Sequence, residues 1–192
     1  ALMNSGLTYA KAMNLRPGQR DETGAAIASD WVPVDMAAVP ALVARDYGGD
    51  SANPYPTKKA QDALGNFADP DRVASPDNLK FSEAMRTLFI GEDSSTHVNN
   101  FLWAYNIDTK QLSRIMSIPA GGESTGLHAV DELNGWTYIM SNFQHPGDWI
   151  SSTPAEVKTQ VGPLIDSQYK NKSGAAVGYL TAESIQVSLI KR

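Results

Sequence analysis

The side chains in this sequence that are equipped for joint chemistry gather at the ends of strand-like runs. Asp77 and Asn78 open one such run, and Glu92 and Asp93 close the run after it. Glu123 opens a later pair, between Gly121-Gly122 and Gly126, and Gln144 and His145 close that pair. Carboxylates and side-chain amides facing one channel from strand ends are the ligands that a hard divalent cation such as Ca²⁺ takes. Asp and Asn are also common turn formers, so Asp77, Asn78, Glu92 and Asp93 have a plain reading as corners of the chain. Glu123 is harder to explain by packing. The glycines around it permit unusual backbone and close ligand approach, although a solvated loop carboxylate accounts for it equally well. His145, in Gln144-His-Pro-Gly147, either hydrogen-bonds its own turn or is held extended by the following proline and aims its ring along the channel. His97, in a polar loop, and His128, within a strand, are weaker candidates.

For these corners to meet, short strands must carry them there. From Pro76 onward, strand patterns over 78–81, 87–91, 100–106 and 111–118 follow one another at the short spacing typical of sandwiches, barrels and propellers. Runs 127–133 and 136–142 flank Asn134-Gly135, a strong hairpin signal. Upstream, 7–13 and 30–34 look extended. Met36, Val39, Leu42 and Val43 have the spacing of a helix over 35–45, limited by Pro40, and 58–64 reads as a short helix stopped by Gly65. Ser152 to Glu156 has the form of a capping box with Thr153 as cap, leading a helical pattern that Gly162-Pro163 breaks. Runs 177–180 and 184–190 close the chain as strands.

One layout occurs twice, over 75–93 and again over 122–142: polar or acidic corner, strand, turn, strand, polar corner. That is the layout of a β-propeller blade, whose innermost strand brings polar groups to a central channel. The expected fold class is therefore mainly β, with propeller-type repeats forming a partial propeller and a few short helical insertions. The whole of 1–192 is expected to be one domain, the C-terminal part of a larger propeller.

Composition narrows the partners. At 42% hydrophobic and 19% charged residues, the chain is rich enough to form a core. A net charge of −5, with the sixteen Lys and Arg scattered, argues against a nucleic-acid footprint. No apolar run has the length of a membrane span, and no signal-peptide pattern precedes the first strand. The absence of cysteine excludes disulfides, thiol nucleophiles and thiolate metal sites within this chain. There is no nucleophile elbow, phosphate loop or dinucleotide fingerprint.

At these residues the sequence resembles the PhoX-type alkaline phosphatases. The likeness rests on Gly6 to Lys11 with Trp31-Val-Pro33, on the segment Lys59 to Gly65, on Ser75-Pro-Asp-Asn78, on Glu123-Ser-Thr-Gly126 and, most specifically, on Gln144-His-Pro-Gly147. The resemblance implies an exported, periplasmic or secreted propeller that hydrolyses phosphate monoesters at a site containing calcium and iron (Ca²⁺ and Fe³⁺). It puts Asp77 and Glu123 in the place of metal-ligand glutamates; Asp93 joins them as a candidate ligand from the corner layout, and His145 is the candidate catalytic residue, lining the channel behind the ligands. Two departures stand out: the family's iron site uses a cysteine that this chain lacks, and Ser75 replaces the family's arginine. The missing first half, or a second copy of the chain, is then the expected partner, and the chain alone is expected to be inactive. Two rivals remain open: a non-catalytic propeller fragment serving as a binding or scaffold module, and a calcium-dependent lactonase-like hydrolase using similar ligands.

Overall fold

Alternation of apolar and polar residues commits most of 76–144 to strands, and the turn residues between them set the order in which those strands pair. The computed structural model describes residues 8–14, 20, 23–26, 31–49, 60–169 and 174–184. Strands β1 (Thr8–Asn14) and β2 (Trp31–Ala38) form a two-stranded antiparallel sheet. Strands β3 (Pro76–Ser82), β4 (Thr87–Glu92), β5 (Phe101–Asn106) and β6 (Leu112–Ser117) form a four-stranded antiparallel meander. Strands β7 (Glu123–Leu133), β8 (Trp136–Gln144) and β9 (Ala176–Glu183) form a three-stranded one, with helix α1 (Ala155–Gln168) inserted before β9. The protein is thus mainly β, and among the described residues the sheets do not close into a barrel or ring. Among the same residues, no helix is long and apolar enough to cross a membrane.

The larger core lies on one face of the four-stranded sheet. Period-two alternation sends Leu88, Ile90 and Glu92 to the same side of β4, where Leu88 pairs with Tyr105 and Ile90 with Trp103. Leu42, Val73, Ile90, Phe101, Trp103 and Tyr105 form the buried cluster there. Each such side chain contributes about 1.5–3 kcal/mol by leaving water. The other face of the sheet meets β7. Gly91 lies so close to Ser124 that a Cβ on Gly91 would come within 2.6 Å of the Ser124 carbonyl oxygen. Ser124 is itself wholly buried, with its hydroxyl 3.2 Å from that of Ser141 on β8. Only a residue without a side chain lets the two sheets approach this closely.

The hairpin turn falls where the sequence places it. Asn134 and Gly135 both adopt left-handed backbone, at φ 53° and 85°, which matches the twist of a two-residue hairpin. The strands around it run farther than their apolar cores, β7 from Glu123 and β8 to Gln144.

Several expectations are corrected. Residues 35–38 belong to β2, and only a short 3₁₀ turn over Pro40–Leu42 follows, because Pro40 and strand pairing with β1 override the helical spacing. Residues 60–64 are not helical: Asp62 accepts the amides of Leu64, Gly65 and Asn66, and this carboxylate-capped turn takes the helix's place. Residues 58 and 59 lie outside the described set. The capping box does not form either. Pro154 precedes the helix with no side-chain cap, and the Thr153 hydroxyl is buried without a partner. Helix α1 then runs straight through Gly162-Pro163, held by Ile165 against Val98 and Ala120. Of the last expected strand, only residue 184 is described, and it lies beyond β9.

Candidate functional site

The corner is built from four places in the chain. At the entry to β3, Ser75 holds a left-handed backbone at φ 46°, and its carbonyl accepts the Asp93 amide at 3.1 Å. Pairing of Pro76 with Glu92 and of Asn78 with Gly91 leaves Asp77 as the extra residue of a β-bulge. A bulge re-aims the side chain it carries. Asp77 is exposed and accepts a hydrogen bond from the Asn78 side-chain amide at 2.5 Å. Asp93, at the end of β4, is exposed as well.

Glu123 enters from the second sheet. The Gly91–Ser124 contact sets β7 beside the end of β4, and Glu123 pairs across from Gln144 on β8. Glu123 is only 6% exposed. Its carboxyl is pushed up to about 7 by burial first, then by the charge of Asp93 and a hydrogen bond with it, with a smaller push from Asp77; His145 pulls the other way. These are the signs of a carboxyl group with surplus negative charge around it, half protonated near neutrality.

His145 sits in the turn that ends β8, and it is not extended: its φ is 41°, in the left-handed region, so the following proline does not dictate its conformation. The turn closes through Asp148 N donating to the His145 carbonyl at 3.1 Å and Gly147 N donating to that of Ala120 at 2.8 Å. Gly121, at φ 76°, backs onto it so tightly that a Cβ there would fall 2.6 Å from the Asp148 carbonyl oxygen. The Gly121 carbonyl lies 3.1 Å from His145 Nδ1 and can only accept, so Nδ1 carries the hydrogen. Nε2 is thereby turned towards Glu123, 3.7 Å from Oε2. The Asp148 carboxylate stands 3.9 Å from Nδ1 on the solvent side.

Thus Asp77, Asp93, Glu123 and His145, drawn from four separate stretches of sequence, meet around one carboxyl group. His97 and His128 do not join them. His128 is exposed on β7 across from Met140. His97 is wholly buried, its Nδ1 3.0 Å from Glu92 Oε2 and its Nε2 3.2 Å from the Asp69 carbonyl. Both neighbours are acceptors, and Glu92 also accepts three N–H groups. Both ring nitrogens of His97 are therefore placed to donate, Nδ1 to Glu92 and Nε2 to the Asp69 carbonyl. Burial pushes its pKa down, but the charge and hydrogen bond of Glu92 outweigh that and leave it raised.

Glu92 and Asp148 are the residues the sequence reading did not resolve. Glu92 looked like a corner residue equivalent to Asp93, yet it turns into the core. The alternation Leu88, Ile90, Glu92 carried that signal, since the third member of an inward-facing series faces inward too. Asp148 carried no signal beyond its place three residues after His145.

Among the described residues, no three histidine or acidic side chains stand together as a ready-made metal shell. The donor chemistry nevertheless suits a hard cation: carboxylate oxygens with an unbalanced negative charge, open to solvent on the Asp77 and Asp93 side. No family model, curated protein or solved structure matches the chain.

Proposed function

We propose that this chain is part of a PhoX-like metal-dependent phosphatase that hydrolyses phosphate monoesters. Its two larger sheets would be neighbouring blades of a propeller, and the corner around Glu123 would be a calcium site. One observation carries the reading: Asp77, Asp93 and His145 converge on Glu123, whose carboxyl is pushed up to about 7 by burial first and then by the neighbouring charge of Asp93 and a hydrogen bond with it. The strictly sequential strand order of each sheet, and their face-to-face packing through β3, β4 and β7, support the blade assignment.

In this reading Asp77, Asp93 and Glu123 hold the calcium, which when bound neutralises the charge of a phosphate ester. The chain has no thiolate to offer iron, so calcium is the ion its own donors suit. His145, with its hydrogen fixed on Nδ1 by the Gly121 carbonyl, presents Nε2 beside Glu123 as the group that accepts or returns a proton. The partner is the missing half of the propeller or a second copy. Apolar side chains left exposed on the strands that edge the two sheets, Leu79 and Phe81 on β3 and Val177 and Tyr179 on β9, are what such a partner would cover. An exported location follows from the same resemblance.

A second reading is favoured by a specific observation. Among the described residues no Lys or Arg forms an ion pair with Asp77, Asp93 or Glu123, and Ser75 stands where the family has an arginine. A corner with no cationic side chain to meet a phosphate suits a calcium-holding, non-catalytic propeller module. Calorimetric titration with Ca²⁺, together with hydrolysis of p-nitrophenyl phosphate in its presence, tests both. Calcium binding by the wild type that Glu123→Ala abolishes, with turnover, supports the phosphatase. Binding without turnover, by the chain alone and with the rest of the propeller supplied, supports the module, and no binding overturns both.

A further inference from the structure

The Asp93–Glu123 encounter joins two different sheets, and something must fix the gap between them. The amides on either side of it converge on one residue. Asn100, at the start of β5, is 5% exposed. Its side-chain oxygen accepts the amide of Ser94, the residue after Asp93, at 2.9 Å. Its side-chain nitrogen donates to the carbonyl of Gly122, the residue before Glu123, at 2.8 Å. One planar amide thus spans from the neighbour of one carboxylate to the neighbour of the other, across the boundary between the sheets.

Asn100 is in turn held from behind. The next amide, that of Phe101, donates to Glu92 Oε2 at 3.0 Å, and the same carboxylate accepts Ala74 N at 2.8 Å and Trp103 Nε1 at 2.8 Å. The Ile118 amide donates to the Asn100 carbonyl at 2.8 Å. Both ends of the residue are therefore fixed to the core, and its side chain has a single orientation that satisfies a donor and an acceptor at once. A packing residue in its place would take these partners from the Ser94 amide and the Gly122 carbonyl, which is costly for buried groups.

We propose that Asn100 is a positioning residue: its side-chain amide sets the separation of Asp93 and Glu123, and so the geometry of the candidate calcium corner. The proposal rests on the functional reading above for the word calcium, but the positioning itself is tested without any metal. Leucine, alanine or aspartate at this place would each break one or both bonds. Asn100→Asp keeps the acceptor for Ser94 yet has no hydrogen for Gly122, whereas Asn100→Ala loses both.

The chain has no cysteine, so a Asp93→Cys/Glu123→Cys pair reports on the gap alone. The measurement is the rate of disulfide formation under mild oxidation, in that pair with Asn100 intact and with Asn100→Ala added. A third arm adds Leu88→Ala, which removes packing at the far end of β4 and lowers stability without touching the corner. The expected result is ready cross-linking with Asn100 intact, a rate at least tenfold lower with Asn100→Ala, and little change with Leu88→Ala. An equal loss in the two arms, or no loss in either, overturns the proposal, because Asn100 then acts only on the fold. Failure to cross-link with Asn100 intact also overturns it, since the side chains would not meet. In parallel, Ca²⁺ calorimetry on Asn100→Asp, in the chain with Asp93 and Glu123 restored, should show at least tenfold weaker binding than the wild type. Should the wild type bind no calcium, the functional reading fails while the cross-linking rates still decide the role of Asn100.

Discussion

Replacing Gly91 by alanine probes the contact on which the corner depends. A Cβ at this position meets the Ser124 carbonyl oxygen at 2.6 Å, its hydroxyl at 2.9 Å and its carbonyl carbon at 3.2 Å. Two of those three atoms are backbone, and the hydroxyl is fixed opposite Ser141, so no flexible side chain can swing away. The sheets must part by about half an ångström or more, and a gap of that size forfeits about a quarter to a half of each contact's attraction. Overpacking of this kind costs about 1–3 kcal/mol, offset by about 0.5–1 kcal/mol because alanine loses less backbone freedom than glycine in a strand. The net expectation is a loss of up to about 2.5 kcal/mol, or a melting temperature lower by up to about 10 °C for a chain of this size. Urea denaturation followed by tryptophan fluorescence measures it, with Gly135→Ala as the comparison. At Gly135 a Cβ meets nothing within 4 Å but the φ of 85° is unfavourable, so any loss there is local to the turn. Gly91→Ala should in addition weaken calcium binding, and Gly135→Ala should not. A Gly91→Ala protein as stable as the wild type, with its binding unchanged, would refute the claim that Gly91 sets the spacing of the sheets.

Three further outcomes are expected. The folded-state pKa of Glu123, about 7, lies above its ordinary 4.5, so the folded protein holds this proton more tightly than the unfolded chain. Stability from this group is complete below 4.5 and declines as the pH rises through about 7, and Glu123→Gln should flatten that decline in urea midpoints and add about 1–3 kcal/mol at pH 8. The raised pKa of His97 acts with the same sign at a higher pH. Its pairing with Glu92 is fully present below the ordinary histidine value of about 6.5 and is lost as the pH rises through the raised one, so His97→Gln should show a flatter alkaline limb in thermal melts. Pro163 lies inside α1 with no amide to donate to the preceding turn, and Pro163→Ala should raise the urea midpoint by an amount equivalent to about 1–3 kcal/mol; a lower midpoint would mean that the ring is needed for packing.

How much of this was legible beforehand varies with the distance over which each feature is decided. The strands from Pro76 to Gln144 follow from local alternation and turn residues, and Asn134-Gly135 fixes its hairpin from two positions alone. The meeting of Asp77, Asp93, Glu123 and His145 was also within reach, because polar residues at strand ends share an end of the sheet once the strands alternate in direction. The split between Glu92 and Asp93, neighbours in sequence that face the core and the solvent respectively, was legible only by carrying the alternation of Leu88 and Ile90 one step further, past residues that also read as a polar corner. The conformation of His145 was missed because the tertiary contact with Gly121 outweighs the bias from its proline. The segment 35–45 was misread for a similar reason: Met36, Val39, Leu42 and Val43 do have helical spacing, but pairing of 31–38 with β1 takes the first half. At α1 the error ran the other way, since burial of Ile165 carries the helix across a proline that propensity alone would not cross.

In each of the larger sheets every strand pairs only with its neighbour along the chain. Pairings of this kind close small loops, which form faster than long ones. As the chain leaves the ribosome, the four strands from Pro76 to Ser117 can therefore assemble before Glu123 has emerged. The carboxylates of the first sheet exist early and well separated by water, and they acquire their crowded, proton-holding partner only when the second sheet docks. The corner therefore waits on the second sheet, and a ribosome-bound chain halted before Glu123 would have no site at all.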